Sequence, residues 1–163
     1  MKQEELKIVN YNTKPPKRLT IWERRFSKKL KKHHGNFHKK VFHRLMKKSS
    51  TLRSTLKRRS KEYEVEFKIS LEEVRELLYK AYGRTCNYCN KKLVIDCMVC
   101  DHIIPLSLGG NSTPNNLQII CRRCNTRKGP LNDRHFRKIL KWLSHQDVEL
   151  RNYVLRKLSS RDF

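Results

Sequence analysis

Apolar residues recur at helical spacing through the N-terminal third of the chain, with lysines and arginines between them. This spacing predicts three helices, over residues 21–34, from Phe37 to Met46, and more weakly around Leu52 and Leu56. Gly35 is the predicted end of the first helix. Because all three are so polar, we expect them to dock on the rest of the protein, on a nucleic acid, or on both.

The pattern changes at Glu62. Over residues 63–69 apolar and charged residues alternate, which predicts one strand. Ser70 and Glu73 then have the spacing of a capping box before an apolar helical stretch that Gly83 ends. A helix is therefore predicted from about residue 71 to residue 81.

Short elements alternate in the rest of the chain. The pattern predicts strands at Leu93–Cys100 and Leu117–Ile120, a loop over residues 105–116, and helices at Arg122–Lys128, after Asn132, and near residues 147–159.

The positive charge is concentrated in the N-terminal segment. The net charge is +24 overall, and residues 1–61 carry 21 Lys and Arg against 3 acids, leaving 18 against 12 in residues 62–163. We therefore expect a basic, mainly helical nucleic-acid-binding extension over residues 1–61, beginning with a flexible arm over residues 1–20, and a folded domain over residues 62–163. A positive electrostatic field of this kind attracts polyanions, and double-stranded DNA is the default partner. The sequence shows no long apolar stretch of the kind that would indicate a membrane partner.

All six cysteines occur as Cys-x-x-Cys pairs, which favours metal-binding thiolates in a reducing compartment and a cytoplasmic location. The first and last pairs, Cys86 with Cys89 and Cys121 with Cys124, would together form the closed tetrahedral shell of a structural zinc ion. The middle pair, Cys97 and Cys100, is an alternative partner for the last pair, because its separation from Cys121 along the sequence fits an ordinary zinc ribbon better. It lies in a predicted strand, where residues three apart face opposite ways, so the first pair is preferred.

Hard metal donors and a histidine lie between and just after these pairs. Asp101 and Asn125 offer a carboxylate and an amide oxygen that suit Mg²⁺ or Mn²⁺, and a neutral His102 could take a proton near pH 7. Lys128 would share a helix face with Asn125 and could contact the same phosphate. Strict strand alternation would separate Asp101 from His102, so the two converge only where the strand ends or bulges.

Three sequence motifs resemble the zinc-knuckle branch of the HNH endonuclease family over residues 62–130. They are Asp101-His102-Ile-Ile-Pro-Leu-Ser-Leu-Gly-Gly110, Asn116-Leu117, and Cys121-x-x-Cys124-Asn125-x-x-Lys128-Gly129. The stretch over residues 67–74 is similar to the segment that precedes the first cysteine in bacteriophage members.

The resemblance implies an α+β fold with a ββα-metal core stapled by a four-cysteine zinc site, with flanking helices and the basic extension. It implies that His102 is the general base, Asp101 and Asn125 are ligands of one divalent ion, and Asn116 braces the loop and the base. Asn125 stands where many members have histidine, so this chain is of the HNN type.

The leading hypothesis is a metal-dependent DNA endonuclease that nicks or cuts both strands, in the second case as a homodimer. The alternatives are a non-catalytic zinc module that binds DNA or RNA, and an RNA-cleaving protein. The candidate nucleic-acid contacts are Arg53, Lys57, Arg58, Arg59, Arg122, Arg127 and Lys128.

Overall fold

Six α-helices, three short 3-10 helices and two short strands form the described part of the computed structural model, residues 21–160. The helices are α1 Ile21–His34, α2 His38–Glu62, α3 Leu71–Ala81, α4 Arg122–Lys128, α5 Asp133–Leu143 and α6 Val148–Lys157, and the strands are β1 Met98–His102 and β2 Leu117–Cys121. The basic arm expected over residues 1–20 lies outside the described residues. The fold is α+β, as the sequence predicts.

The second and third predicted helices are one continuous helix, α2, so the expected break between them is wrong. The stretch that weakens the helical pattern contains Ser49, Ser50 and Thr51. Each of their hydroxyls donates to a carbonyl of the preceding turn, which accommodates these polar residues inside a helix. Gly35 follows α1 with a φ of +49°, which confirms the predicted end of that helix.

The strand predicted over residues 63–69 is also wrong. After α2 ends, Glu64 has a φ of +53°, which turns the chain, and Phe67 then forms a single bridge with Ser112. The alternation arises because Phe67 packs on the core and Ile69 is buried, while the intervening Lys68 is exposed. This segment therefore crosses the core without joining a sheet.

Helix α3 confirms the predicted capping box. The Ser70 hydroxyl accepts a hydrogen bond from the Glu73 backbone N–H at 3.1 Å, and the Glu73 carboxylate accepts one from the Ser70 backbone N–H at 2.7 Å. Two of the N–H groups that a helix start leaves free are thus satisfied.

The two strands pair antiparallel, with Met98 opposite Cys121 and His102 opposite Leu117. Strand β1 begins later than predicted, because the chain from Val94 to Cys97 makes a tight turn closed by a 3.1 Å backbone hydrogen bond. Strand β2 and helix α4 follow the prediction. The order strand, long loop, strand, helix is the ββα arrangement that the resemblance implies.

One core runs through the extension and the rest of the protein. Phe26 and Leu30 of α1 and Leu45 and Leu56 of α2 belong to the buried cluster that also contains residues of α3 and both strands. The two helices therefore dock on the rest of the protein, and the predicted boundary at residues 61/62 is not a boundary of the core. Among the described helices, none combines the length and apolar character needed to cross a lipid bilayer.

A core substitution in α2 should therefore destabilise the whole protein. Leu56 is 4% exposed, so Leu56→Ala should lower the free energy of unfolding by about 2–5 kcal/mol through lost burial and a cavity. The adjacent exposed Lys57→Ala serves as a control and should change it by about 0.5 kcal/mol or less. Urea denaturation followed by the fluorescence of the native tryptophans measures both. An unchanged midpoint for Leu56→Ala would show that α2 is energetically separate.

Candidate metal centre and catalytic cleft

The first and last cysteine pairs meet in one cluster. The four Sγ atoms of Cys86, Cys89, Cys121 and Cys124 lie within 4.8 Å of one another, and the sulfurs of Cys89 and Cys121 are 3.7 Å apart. A tetrahedral zinc ion with Zn–S bonds of about 2.3 Å requires sulfurs about 3.8 Å apart. The cluster therefore has the size of a four-thiolate zinc site.

The local backbone explains why these sulfurs converge. Asn90 closes the first cysteine turn with a φ of +56°, a conformation that asparagine tolerates, and its N–H donates to the Cys86 carbonyl. Cys121 ends β2 and caps α4, where its sulfur accepts from the N–H of Cys124 at 3.4 Å. One cysteine turn is thereby held against the junction of a strand and a helix.

The protonation of the thiols also fits a bound cation. Burial acts to raise the pKa of Cys89, but hydrogen bonds from the Lys91 backbone and the other cysteines outweigh it and lower this pKa to about 7. Burial raises the pKa of Cys121 and Cys124, and neighbouring sulfurs contribute to that rise. Four thiolates at this spacing would repel one another, and a divalent cation removes that repulsion.

The middle cysteine pair does not join the cluster. The Cys97 sulfur accepts from the Val94 N–H at 3.3 Å within the turn before β1. Cys100 lies in β1, where burial and the nearby Asp101 raise its pKa to about 12. The preference for the first pair as partner of the last pair is therefore supported by the geometry. Cys97 lies in a turn and not, as predicted, in a strand.

The loop between the strands is held closed by its own polar groups. The Asn116 side chain accepts from the Ile104 N–H at 2.8 Å and donates to the carbonyls of Ile104 and Asn111 at 3.0 and 2.8 Å. A side chain on Gly110 would place its Cβ only 1.9 Å from the Ile104 carbonyl oxygen, so this position accepts only glycine. The loop thus has a fixed shape at the end of β1.

Asp101 is buried in a network of hydrogen bonds. Its Oδ1 accepts a hydrogen bond from the Lys128 ammonium at 3.1 Å, and its Oδ2 accepts one from the Gln118 amide at 3.0 Å. Gln118 also donates to the Tyr88 hydroxyl at 2.7 Å, and that hydroxyl donates to Asp133 at 2.6 Å. Burial raises the pKa of Asp101, and Lys128 opposes that shift. The network connects this carboxylate to the cysteine turn.

His102 ends β1 and is only 6% exposed. Its Nε2 lies 2.9 Å from the Ser112 hydroxyl. Its Nδ1 has no hydrogen-bond partner among the described residues and is not sealed from solvent. Burial, reinforced by the charges of Arg59 and Lys128, lowers the pKa of His102 to about 4. The imidazole is therefore neutral near pH 7.

Asp101, His102 and Asn125 line the same open cleft, whose volume is about 760 Å³. The sequence could not decide whether these neighbouring strand residues would serve one site, and both line this cleft. Asn125 is half-buried in α4, and its amide makes no hydrogen bond to another described residue. A carboxylate, an amide and an imidazole therefore line one cleft.

Lys128 differs from its expected role. It is 1% exposed, and its ammonium donates to the Asp101 carboxylate and to the His102 carbonyl, the latter at 2.7 Å. A contact with phosphate from this position would require the buried ion pair to break, at a cost of several kcal/mol. Lys128 is therefore placed as an internal support of β1, and its predicted surface role is not supported.

The other predicted nucleic-acid contacts fall into two groups. Arg53 is turned inward, where its Nε donates to the Ile69 carbonyl at 3.1 Å and its guanidinium stacks on Phe67. The side chains of Lys57, Arg58, Arg59 and Arg122 are exposed, with Arg58 paired to Glu62. Arg59 and Arg127 line the cleft. The exposed residues and Arg127 are available to a phosphate backbone, whereas the inward-facing Arg53 is not.

Sequence reasoning missed the residues that support the cleft side chains. They are Ser60, Ser112, Gln118, Tyr88 and Asp133. Gln118 carried one usable signal, because antiparallel register places it opposite Asp101. Ser60 and Ser112 carried none, since a serine in a basic helix and one in a loop are both ordinary.

The metal content should separate the two candidate cysteine sets. Wild type and Cys97→Ser should each bind one zinc ion per chain, whereas Cys121→Ser should lose the ion and much of its folding stability, because the closed shell needs four ligands. Inductively coupled plasma mass spectrometry of the purified proteins gives the ratio. Loss of zinc in Cys97→Ser would assign the middle pair to the site instead.

Protonation of His102 should oppose folding. The folded pKa is about 4 and the ordinary value is about 6.5, so the unfolded chain binds the proton more readily. The contribution is fully present above pH 6.5 and is lost as the pH falls from 6.5 to 4. Between pH 7 and pH 4, wild type should lose on the order of 1–3 kcal/mol more stability than His102→Gln. The exposed His135→Gln should follow the wild-type curve in urea titrations, and parallel curves for wild type and His102→Gln would contradict the shift.

The comparisons with known proteins agree with this geometry. Residues 86–131 match the family model described as HNH endonuclease, and this segment contains all three cysteine pairs, both strands, the loop and α4. No curated protein matches the chain. Residues 86–131 are therefore similar to the HNH endonuclease family, which supports the resemblance that the sequence motifs indicate.

Proposed function

We propose that the protein is a metal-dependent DNA endonuclease that hydrolyses phosphodiester bonds, with His102 as general base. The observation that carries the proposal is the convergence of Asp101, His102 and Asn125 in one open cleft within the segment that matches the HNH family. A binding module would have no need of a buried imidazole beside hard metal donors.

The environment of His102 suits proton abstraction. A general base must be unprotonated before the reaction, and the low pKa of about 4 provides this near pH 7. The ring is anchored at Nε2 by Ser112, while Nδ1 remains accessible. We infer that Nδ1 removes the proton from the attacking water.

The donors at the cleft fit a hard divalent ion. The carboxylate of Asp101 has about four lone-pair positions, of which hydrogen bonds from Lys128 and Gln118 use two. The amide of Asn125 is unengaged by other described residues. Asp101 and Asn125 would hold Mg²⁺ or Mn²⁺, which as a Lewis acid would stabilise negative charge on the phosphate and the leaving oxygen.

The exposed cations beside the cleft would hold the nucleic-acid backbone. Arg59, in the last turn of α2, and Arg127, in α4, both line the cleft. Helices α1 and α2 carry many further exposed lysines and arginines. Contacts of this kind position a duplex without reading its sequence.

One observation favours the non-catalytic alternative. The Lys128 ammonium already neutralises the Asp101 carboxylate, which weakens the electrostatic need for a metal ion at that position. A zinc module that binds nucleic acid without cutting it would have the same basic surface. Cleavage assays separate the two functions.

Removing the imidazole should abolish cutting while leaving binding intact. His102→Ala should slow nicking of supercoiled plasmid in Mg²⁺ or Mn²⁺ by about 10²- to 10⁴-fold, the usual contribution of a general base. The exposed His135→Ala should cut within about twofold of wild type, and filter retention should show similar DNA affinity for all three proteins.

The same assay judges the alternatives. If wild type binds DNA and never nicks it with either ion, the protein is a binding module. If His102→Ala nicks as fast as wild type, another residue is the base. Faster cleavage of a matched RNA than of duplex or single-stranded DNA would reassign the substrate.

A further inference from the structure

Helix α5 presents a basic face with one exposed aromatic ring. Its inner side is buried in the protein through Phe136 and Leu143, which are 0% and 1% exposed. The opposite side carries three exposed cations at helical spacing and an indole that is 52% exposed. These residues, which we call the α5 basic face, are Arg134, Lys138, Lys141 and Trp142.

The charges of the α5 basic face are not neutralised within the described part of the protein. None of its three cations forms an ion pair with a described carboxylate. The one acid of the helix, Asp133, is half-buried and pairs with Arg137. The Trp142 ring stacks on no other described aromatic ring. The face is therefore open to a negatively charged ligand.

The α5 basic face begins beside the catalytic cleft. The Asp133 N–H donates to the carbonyl of Ile103, the residue after His102, at 2.9 Å, and Leu131 lines the cleft just before the helix. From its first to its last residue the face extends about 12 Å, because an α-helix rises about 1.5 Å per residue. A strand that leaves the cleft along α5 would therefore pass the three cations and reach the ring.

An unpaired nucleic-acid strand fits this combination of groups better than a duplex or a protein. Lysine and arginine bind the phosphates of any nucleic acid, but an indole stacks on the face of a base, and in a duplex each base face is covered by its neighbours. A second copy of this chain would bring like charge against the face, since each chain carries a net charge of +24.

We propose that the α5 basic face binds an unpaired DNA strand beside the duplex that enters the cleft, with its cations on phosphates and Trp142 stacked on a base. The choice of DNA rests on the proposed endonuclease function, but the inference concerns binding and not the cutting step. It defines the substrate class as a duplex that carries a single-stranded extension next to the cut.

Binding to matched DNAs tests the proposal. Fluorescence anisotropy of the zinc-loaded, full-length protein without Mg²⁺ or Mn²⁺ gives Kd for a blunt duplex and for the same duplex with a 5′ or 3′ tail of about eight nucleotides. Wild type should prefer a tailed DNA, and Trp142→Ala should lose about fivefold or more of the affinity for it through lost stacking, with the blunt duplex bound within about twofold. Equal wild-type affinity for all three DNAs, or an unchanged preference in Trp142→Ala, would overturn the proposal.

Tyr153→Ala is the matched aromatic control. Tyr153 is 54% exposed in α6, but the Lys157 ammonium already lies over its ring, 5.9 Å from the centroid. This variant should keep the wild-type preference for tailed DNA. A loss equal to that of Trp142→Ala would show that the effect is not specific to α5.

The salt dependence of binding tests the three cations. Replacing all of them by glutamine should make the slope of log affinity against log salt for tailed DNA shallower by about 2, since each phosphate contact on a single strand contributes about 0.7. The control removes the same charge from α1 by replacing the exposed Lys28, Lys31 and Lys32 with glutamine. It should weaken binding to blunt and tailed DNA equally. An unchanged slope in the α5 variant, or a lost preference in the α1 variant, would contradict the assignment.

Two further measurements separate this inference from the proposed function and from dimer formation. If wild type prefers tailed DNA and never cuts it, the endonuclease assignment fails and the α5 basic face stands. If wild type cuts DNA without any preference for a tail, the inference about α5 fails alone. Analytical ultracentrifugation of wild type and Trp142→Ala should give the same oligomeric state. A dimer that Trp142→Ala dissociates would assign the face to a contact between copies and overturn the proposal.

Discussion

The cluster of four cysteine sulfurs is the constraint on which the site depends. A two-stranded sheet with a short helix has too little apolar surface to be stable alone. In this protein, the strands have five residues each and α4 has seven. A cation shared by the four sulfurs would fasten the cysteine turn to the end of β2 and the start of α4. That junction sets where Asn125 and Lys128 stand relative to β1.

A second constraint is electrostatic. Asp101 and Lys128 form an ion pair in which both side chains are almost fully buried. Such a pair contributes little net stability compared with apolar packing, but breaking it leaves an unpaired buried charge. Because Lys128 also binds the His102 carbonyl, the pair fixes α4 against the last two residues of β1. Because separating these groups would cost free energy, they hold the cleft in one geometry.

The sequence predicted those features that depend on local spacing. The capping box of α3, the glycine after α1 and the two cysteine pairs follow from residues a few positions apart. The strand predicted at residues 63–69 failed because its alternation reflects one-sided packing, with Phe67 and Ile69 toward the core and the intervening Lys68 exposed. The link between Ser60 and Ser112 and the burial of Lys128 join residues far apart in sequence, and no periodicity records such contacts.

The contact between Ser60 and Ser112 also bears on whether this protein is modular. The recognisable family segment looks transferable, since it contains the cysteines, both proposed metal donors and the histidine. Grafting residues 62–163 onto a different DNA-binding arm would nevertheless leave Ser112 without the hydroxyl that faces it. Recombination at this boundary would preserve every motif residue and still disturb the histidine, so natural or engineered exchange of the arm must carry the end of α2 with it.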